Sequence, residues 1–350
     1  MNDSAALLTA DRAADRLAFA RAALGEAVAL ERASEDASFR SYWRVRGGAR
    51  SAIVMDAPPD REDLAPWLDI AARLRAAGLH APEVQAQDLA RGFLLLSDLG
   101  TRTYLPELND STAAALYGDA LAALVAMQTR VDAQGLPLYD EPRLMAELEL
   151  MPTWFLQKHL GISIECDEWD VIEAAFRLLI NTALAQPRAF VHRDYHSRNL
   201  LIAPDNNSGT AAPGLSNPGI IDFQDAVLGP ITYDLVSLLR DCYIVWDDAR
   251  VRAWAEGHRL ALRDAGLLDG RVDAPLWQRW FDLMGLQRHI KVLGIFCRLW
   301  YRDGKRGYLD DLPRVWQYVR SVGAQHPEFA EFIALIESKI GGRDLTQPAP

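Results

Sequence analysis

Residues 191–202 read VHRDYHSRNLLI and residues 220–225 read IIDFQD, and these two stretches decide the predicted fold. The first holds the pattern H-x-D-x-x-x-x-N, which runs from His192 through Asp194 to Asn199. In the second, Asp222 follows Asn199 by 23 positions. The short apolar runs LLI and II are typical of buried strands. We therefore predict that the polar side chains lie at strand ends.

Phosphoryl transfer accounts for this pairing of residue types. It needs a carboxylate that orients and deprotonates the attacking hydroxyl, and oxygen ligands for Mg²⁺. Mg²⁺ takes one or two protein oxygens and completes its octahedron with phosphate and water. We predict Asp194 as the base, and Asn199 and Asp222 as metal ligands. The structural alternative, a capped turn followed by an ordinary strand end, leaves the order and spacing of the two stretches unexplained.

A third stretch, GPITYDL at 229–235, completes a resemblance. The three stretches are similar in order to those of the aminoglycoside phosphotransferase branch of the protein-kinase-like superfamily. The resemblance implies an α+β, bilobal fold with a small β-rich N-lobe that carries helices and a larger, mainly helical C-lobe. ATP and Mg²⁺ are the implied cofactors. His192 is expected to be structural, and Asp234 is expected to pin the catalytic loop.

The expected lobes follow from this resemblance and from the hydrophobic pattern. The nucleotide-binding lobe is predicted at 1–99, the catalytic and substrate-binding lobe at 100–340, and a frayed tail at 341–350. Local patterns predict several elements. They are a helix at 4–25, a β-hairpin around Gly47-Gly48, a helix at 62–77, a buried strand at 93–96, mainly helices after 111, and short strands near 190, 201 and 220.

The nucleotide side departs from the protein-kinase pattern. No G-x-G-x-x-G is present, and SEDASF at 34–39 occupies that place, where Ser34, Ser38 and backbone N–H groups would hold phosphate. Met55 stands nearest the expected phosphate-binding lysine, so Arg40 or Arg44, on the neighbouring strand, is the candidate replacement. An ordinary strand arginine is the alternative for Arg44. These departures keep a nucleotide-binding pseudokinase as an alternative to an enzyme.

The passage from strand to hinge resembles the family's adenine-binding segment. It reads LLLSDL at 94–99 and includes Ser97 and Leu99. In the family the backbone of this segment hydrogen-bonds adenine. An ordinary core strand is compatible with the same sequence.

Four further stretches narrow the resemblance to the bacterial anomeric sugar kinases of cell-wall recycling. They are DASFRSYWRV at 36–45, MDAPP at 55–59, LQRHIKVLGIF at 286–296 and RDGK at 302–305. Members of that family phosphorylate N-acetylmuramate and N-acetylglucosamine at C1, and MDAPP is their own pattern, which would account for the missing lysine. A small amino sugar is therefore the expected partner. A kinase of another small hydroxyl compound, aminoglycoside or choline-like, is the alternative.

Basic residues recur at helical spacing after Leu286. Their intervals of 3, 7, 4 and 3 predict one face of a helix, which would bind the carboxylate of N-acetylmuramate, with a solvated face as the alternative. The residues are Arg288, Lys291, Arg298, Arg302 and Lys305. His196 and Asp225 complete the set of candidate substrate contacts.

Composition limits the classes of protein and partner. The chain has 350 residues, with 37 Lys and Arg against 48 Asp and Glu, so its formal charge of −11 argues against a nucleic-acid partner. Its three cysteines lie far apart without a C-x-x-C pair, which argues against disulfides and a cysteine-based zinc site. No apolar run approaches a membrane span. We expect no membrane partner, a cytoplasmic location, and an oligomeric state that the sequence leaves open, a monomer being compatible.

Overall fold

The computed structural model of the chain describes residues 2–35, 39–48, 51–203 and 217–348. The chain divides into two units, the first formed by Met1–Ala123 with Arg198–Asp225 and the second by Leu124–Ser197 with Ala226–Pro350. Asn199 and Asp222, which are next to two short strands, therefore belong with the N-terminal part of the chain. The predicted functional boundary between residues 99 and 100 stays a prediction.

An antiparallel sheet forms the centre of the first unit. Within the described residues it has five strands in the order β1-β2-β3-β5-β4. They are β1 (Ala29–Glu35), β2 (Ser41–Arg46), β3 (Ala52–Asp56), β4 (Val84–Asp88) and β5 (Phe93–Ser97). The pairing of β2 with β3 confirms the predicted hairpin, and Gly47 adopts the left-handed φ of +82° that its turn requires. β1 was not predicted, because its sequence ALERASE is largely polar.

The N-terminal helix packs against this sheet. Phe19 stacks on Phe93 of β5 with ring centroids 5.7 Å apart, beside buried Val54. At the end of β3, the buried Asp56 carboxylate accepts hydrogen bonds of 2.7 Å from Arg12 Nε and from Arg16 Nη1. A buried charge needs such partners, so these two ion pairs hold the helix to the sheet.

The remaining elements of the first unit follow the predicted pattern closely. The helix predicted at 62–77 begins three residues later, with Pro66 in its first turn and the Asp63 carboxylate accepting the Ala65 N–H at 2.9 Å. Within Arg198–Asp225, the second chain segment of this unit, two short strands pair antiparallel. These elements are α1 (Asn2–Leu24), α2 (Ala65–Ala76), α3 (Tyr104–Glu107), α4 (Ala113–Arg130, which continues into the second unit), β7 (Leu200–Leu201) and β8 (Gly219–Ile220).

The second unit is mainly helical. Its strands are β6 (Arg188–Val191) and β9 (Val227–Pro230), which pair antiparallel. Its α-helices are α5 (Glu141–Leu148), α6 (Cys166–Leu184), α7 (Tyr233–Leu239), α8 (Asp248–Asp264), α9 (Ala274–Asp303), α10 (Leu312–Gly323) and α11 (Ala330–Ile340). A π-helix spans Met151–His159, and 3₁₀ turns span Arg306–Asp311 and Pro327–Phe329.

Helix α9 organises this unit. The Asp273 carboxylate caps it by accepting the Leu276 N–H at 2.9 Å, and Gly304 ends it with a φ of +71°. It therefore runs unbroken through 302, as the basic pattern requires, but Lys305 lies beyond its end. At Gly294 the backbone approaches so closely that a β-carbon would lie 2.2 Å from the carbonyl carbon of Leu150.

The C-terminal segment differs from the predicted frayed tail over its described residues. Leu345 is buried, and its carbonyl lies 2.8 Å from Nε2 of His159. Arg343 donates a 2.8 Å hydrogen bond to the carbonyl of Leu160. An apolar side chain and two polar contacts hold this segment to the second unit. Among the described residues, no helix combines the length and apolar character needed to cross a bilayer.

Candidate active site

The predicted catalytic loop begins where β6 ends. Asp234, on α7, accepts the backbone N–H of His192 at 2.6 Å and that of Arg193 at 3.0 Å. These bonds confirm that Asp234 pins the loop, although burial raises the pKa of its carboxyl to about 7. Arg193 has a φ of +77°, which is uncommon for a residue other than glycine. The two bonds stabilise this strained turn, which presents the next residue, Asp194.

Asp194 is an ionised carboxylate in a basic environment. Its backbone N–H donates to Nδ1 of His192 at 3.3 Å. Burial raises the pKa of Asp194, but the positive charges of Lys291, His196 and Arg193 more than offset it, so the pKa lies below its usual range. The side chain is therefore able to accept a proton or a hydroxyl hydrogen bond at neutral pH.

A buried glutamate organises two of these cations. Glu147, on α5, lies 3.0 Å from Nζ of Lys291 and 2.5 Å from Nη2 of Arg193. The Lys291 ammonium also donates to the hydroxyl of Tyr233 at 2.9 Å. Burial lowers the pKa of Lys291, but Glu147, Tyr233 and Asp194 together raise it by more, so the ammonium stays charged.

Glu147 is not among the site residues predicted from the sequence. The available signal was its position on the apolar stripe of a short helix, between Leu144 and Leu148, which are both fully buried. A carboxylate in such a stripe needs a cationic partner. Its partners lie 46 and 144 positions away, so only the fold identifies them.

The end of the catalytic loop in the second unit is held by another aspartate. Asp241 accepts the backbone N–H of Ser197 at 3.0 Å and its hydroxyl at 2.5 Å. The ring of His196, a candidate substrate contact, meets the ring of Tyr243 edge-on at a centroid distance of 5.5 Å. Two buried aspartates, Asp234 and Asp241, thus hold the two ends of the loop.

In the first unit, strand pairing brings the two predicted metal ligands together. The pairing of β7 with β8 sets Asn199 opposite Ile221, whose N–H donates to the Asn199 carbonyl at 3.2 Å. Asp222 follows with a φ of +64°, and Asn199 Nδ2 lies 3.2 Å from Oδ2 of Asp222. Gln224 Nε2 donates to the other carboxylate oxygen at 3.0 Å. Phe223 is buried against Trp67 of α2, which holds this turn.

The donor set fits Mg²⁺ better than a metal held by protein alone. Among the described residues, no group of three or more His, Cys, Asp and Glu side chains is arranged to hold a metal ion. Mg²⁺ needs only one or two protein oxygens beside phosphate oxygens. A half-turn of the Asn199 amide exchanges its nitrogen and oxygen, so a cation beside Asp222 would meet an amide oxygen and a carboxylate oxygen.

Arg44, a candidate cation on the nucleotide side, is held by other residues of the first unit. Arg44 forms a two-point ion pair with Asp98, at 2.7 and 3.0 Å, and donates to the Gly100 carbonyl at 3.0 Å. The Arg44 guanidinium is therefore fixed by its ion pair with Asp98 and is not an exposed strand arginine. Burial raises the pKa of Asp98, but hydrogen bonds from Arg44 and Ser51 bring it below its usual range. Met55, at the lysine position, is fully buried.

Two of the other residues predicted on the nucleotide side, Ser97 and Leu99, have structural contacts within the first unit. The Ser97 hydroxyl accepts the Glu83 N–H at 2.9 Å, so it stabilises the end of β5. Leu99 is buried, and its side chain lies beside Gly219. Ser38 and the side chain of Ser34 lie outside the described residues.

The candidate substrate residues on and near α9 do not form one solvated face. Arg288 and Lys291 are buried, because α9 packs against α6, α7, α10 and the π-helix. Arg288 donates to the sulfur of Cys242 at 3.3 Å. Arg302 is exposed and pairs with Asp303 at 2.8 Å, and Arg298 is partly buried.

Asp225, the remaining candidate, is exposed in the first unit. Its carboxylate lies 3.4 Å from Nε2 of Gln224.

Comparison with known proteins gives consistent results for sequence and fold. Residues 29–272 match the model of the phosphotransferase enzyme family. The chain is 46% identical over 308 residues, 87% of each chain, to an N-acetylmuramate/N-acetylglucosamine kinase of Pseudomonas aeruginosa. It is 42% identical over 315 residues to the enzyme of the same name from Pseudomonas putida, covering 90% of this chain and 89% of the relative.

Solved structures share the fold at low sequence identity. An ADP-bound aminoglycoside phosphotransferase superimposes with a TM-score of 0.56 at 14% identity, covering 87% of this chain and 97% of the other. The ethanolamine kinase of Plasmodium vivax gives a TM-score of 0.61 at 9% identity, covering 87% and 86%. These likenesses confirm the predicted α+β, protein-kinase-like fold.

Proposed function

The chain belongs to the phosphotransferase enzyme family, and we propose that it transfers the γ-phosphoryl group of ATP to the anomeric C1 hydroxyl of an amino sugar. N-acetylmuramate and N-acetylglucosamine are the proposed substrates, and the sugar 1-phosphates would serve peptidoglycan recycling. The main support for phosphotransfer is Asp194, which is ionised and follows a backbone turn that Asp234 holds in place. The printed names of the relatives support the choice of sugars.

Asp194 would accept the proton of the attacking hydroxyl on a carboxylate oxygen. A carboxylate of low pKa is a weak base, so its larger contribution is to orient the hydroxyl, and proton transfer occurs late in a loose transition state. An anomeric hydroxyl suits this base, because the ring oxygen makes it more acidic than an ordinary alcohol. Lys291 and Arg193 keep Asp194 ionised, and Glu147 holds both cations.

Asn199 and Asp222 would hold Mg²⁺, whose charge neutralises the phosphates of bound ATP. The hydrogen bond from Gln224 and the left-handed backbone of Asp222 orient its carboxylate. On the nucleotide side we propose Arg44, held by Asp98, together with Ser34, Ser38 and the segment containing Ser97 and Leu99. Arg44 would supply the positive charge for the phosphates, because the phosphate-binding lysine is missing and Met55 stands in its place.

A pseudokinase is the second candidate, and the buried Met55 at the lysine position favours it. Such a protein would bind nucleotide without turnover. The pinned catalytic loop opposes it, because a positioned and ionised Asp194 has no use in simple nucleotide binding. A kinase of another small hydroxyl compound would share the fold of the ethanolamine kinase.

Purified protein with ATP, Mg²⁺ and a panel of the two amino sugars, aminoglycosides, choline and ethanolamine separates these candidates. We expect ADP release that depends on the amino sugars. Asp194→Ala should lower kcat by about 10²- to 10⁴-fold while nucleotide affinity changes little. Asp264→Ala, at an exposed position of α8, is the matched control and should retain full activity. If no compound of the panel causes ADP release, the result favours the pseudokinase.

A further inference from the structure

The two proposed sugars differ in one charge. N-acetylmuramate carries a lactyl ether with a carboxylate at C3, where N-acetylglucosamine has a hydroxyl. A protein of net charge −11 repels an anionic sugar at long range. Binding the acidic sugar therefore requires a local cation whose charge is not already neutralised by the protein itself.

Three of the four basic side chains on α9 that the sequence singles out are already engaged. Arg288 is buried against Cys242. Lys291 is paired with Glu147 at 3.0 Å. Arg302 is paired with Asp303 through two hydrogen bonds of 2.8 and 3.0 Å. Each of these would have to give up a partner in order to bind a substrate carboxylate.

Arg298 differs from these three. Among the described residues it has no hydrogen-bond acceptor and no ion-pair partner, and its Nε is buried without a partner. A buried guanidinium N–H normally has an acceptor, because an unsatisfied donor loses the hydrogen bonds it made with water. Burial and the charge of Arg302 lower the pKa of Arg298, and the charges of Asp303 and Glu147 only partly offset them.

The position of Arg298 relates it to the proposed base. It follows Lys291 by seven residues, which places both on one face of α9, about 10 Å apart along its axis. Lys291 acts electrostatically on Asp194, and Glu147 acts electrostatically on Arg298. All four side chains belong to the second unit. Arg298 is thus offset from the base along α9, as a group that recognises a substituent remote from C1 should be.

We propose that Arg298 binds the carboxylate of the acidic amino sugar and sets the preference between the acidic and the neutral substrate. This inference rests on the proposed function. A guanidinium binds a carboxylate through two parallel hydrogen bonds, and the bound carboxylate would supply the acceptors that Arg298 lacks. N-acetylglucosamine has no group that could make this contact.

Steady-state kinetics of Arg298→Ala with both sugars tests the proposal. We expect kcat/KM for N-acetylmuramate to fall by about ten- to a hundredfold, mainly through KM, because the contact is the same in the ground and transition states. The value for N-acetylglucosamine should change less than about threefold. Arg298→Lys keeps the charge and should recover part of the loss. Arg279→Ala, near the start of α9 and paired with Glu328, is the matched control.

Equal losses for both sugars would assign Arg298 a packing role and overturn the proposal. Unchanged kinetics for both would make it a solvated side chain, with the same consequence. If the wild-type protein phosphorylates N-acetylglucosamine but not N-acetylmuramate, Arg298 does not serve the acidic sugar and the proposal fails alone. If it phosphorylates neither sugar, the proposed function fails first.

Discussion

At the scale of single residues, the sequence predicts which groups carry chemistry, and the fold determines their ionisation. Asp194 is recognisable from its spacing to Asn199, but its low pKa depends on Lys291, which lies 97 positions later in the chain. Likewise the sequence indicates a cation at Arg44, whereas its ion pair with Asp98 depends on the neighbouring strands. Pairings between distant residues have no local signal, so they could not be predicted.

The pH dependence of activity tests the electrostatic role of Lys291. Lys291→Met removes the largest favourable charge acting on Asp194, so the pKa of Asp194 should rise. Asp194 must be ionised to act, so the acid limb of kcat/KM against pH should move to higher pH. Lys158→Met, at an exposed position, is the control. An acid limb that stays at the wild-type pH in Lys291→Met would contradict the assigned role.

Asp222→Asn tests the proposed metal site. Asparagine tolerates the left-handed backbone at this position, so the turn should be retained while one negative charge is lost. We expect kcat to fall by about a hundredfold or more and the Mg²⁺ concentration for half-maximal activity to rise. Melting temperature should stay close to that of the wild type. Asp69→Asn, on the exposed side of α2, should leave the Mg²⁺ titration unchanged, and an unaltered titration in Asp222→Asn would argue against a metal ligand.

At the scale of elements, apolar patterns were sufficient for most helices and for the buried strands. The hairpin around Gly47, the strand at 93–96 and the helix after Leu286 follow from local sequence. β1 could not be predicted, because it is an edge strand with polar residues and only its pairing with β2 defines it. β9 is four residues long and contains a glycine and a proline, so it exists through its pairing with β6.

Two glycines in helices separate the effect of packing from that of helix propensity. Gly294→Ala should destabilise the protein by about 1–3 kcal/mol, because the new β-carbon would overlap the Leu150 backbone, which has little room to move. Gly257→Ala on α8 meets no atom within 4 Å and should stabilise it by about 0.5–1 kcal/mol. Urea unfolding of both variants measures these free energies. A stabilised Gly294→Ala protein would show that α9 lies farther from Leu150.

At the scale of the whole molecule, the acidic composition and the basic residues near the base have separate roles. With 48 acidic against 37 basic residues, the composition argues against a nucleic-acid partner. In the second unit, Lys291 and Arg193 instead lower the pKa of Asp194. The sequence predicted the fold class, whereas the assignment of Asp194 as the base stays a prediction. The sequence could not predict that Arg288 and Lys291 would be buried, because helical spacing alone does not tell how many neighbours surround a helix.

The position of the transferred phosphate decides whether the protein is an anomeric sugar kinase. N-acetylglucosamine labelled with ¹³C at C1 would be incubated with the protein, ATP and Mg²⁺, and the product examined by ³¹P and ¹³C NMR. We expect a single sugar phosphate whose phosphorus couples to the labelled carbon, formed in equal amount with ADP. Phosphate on another hydroxyl, or ATP hydrolysis without a sugar phosphate, would contradict the proposed function.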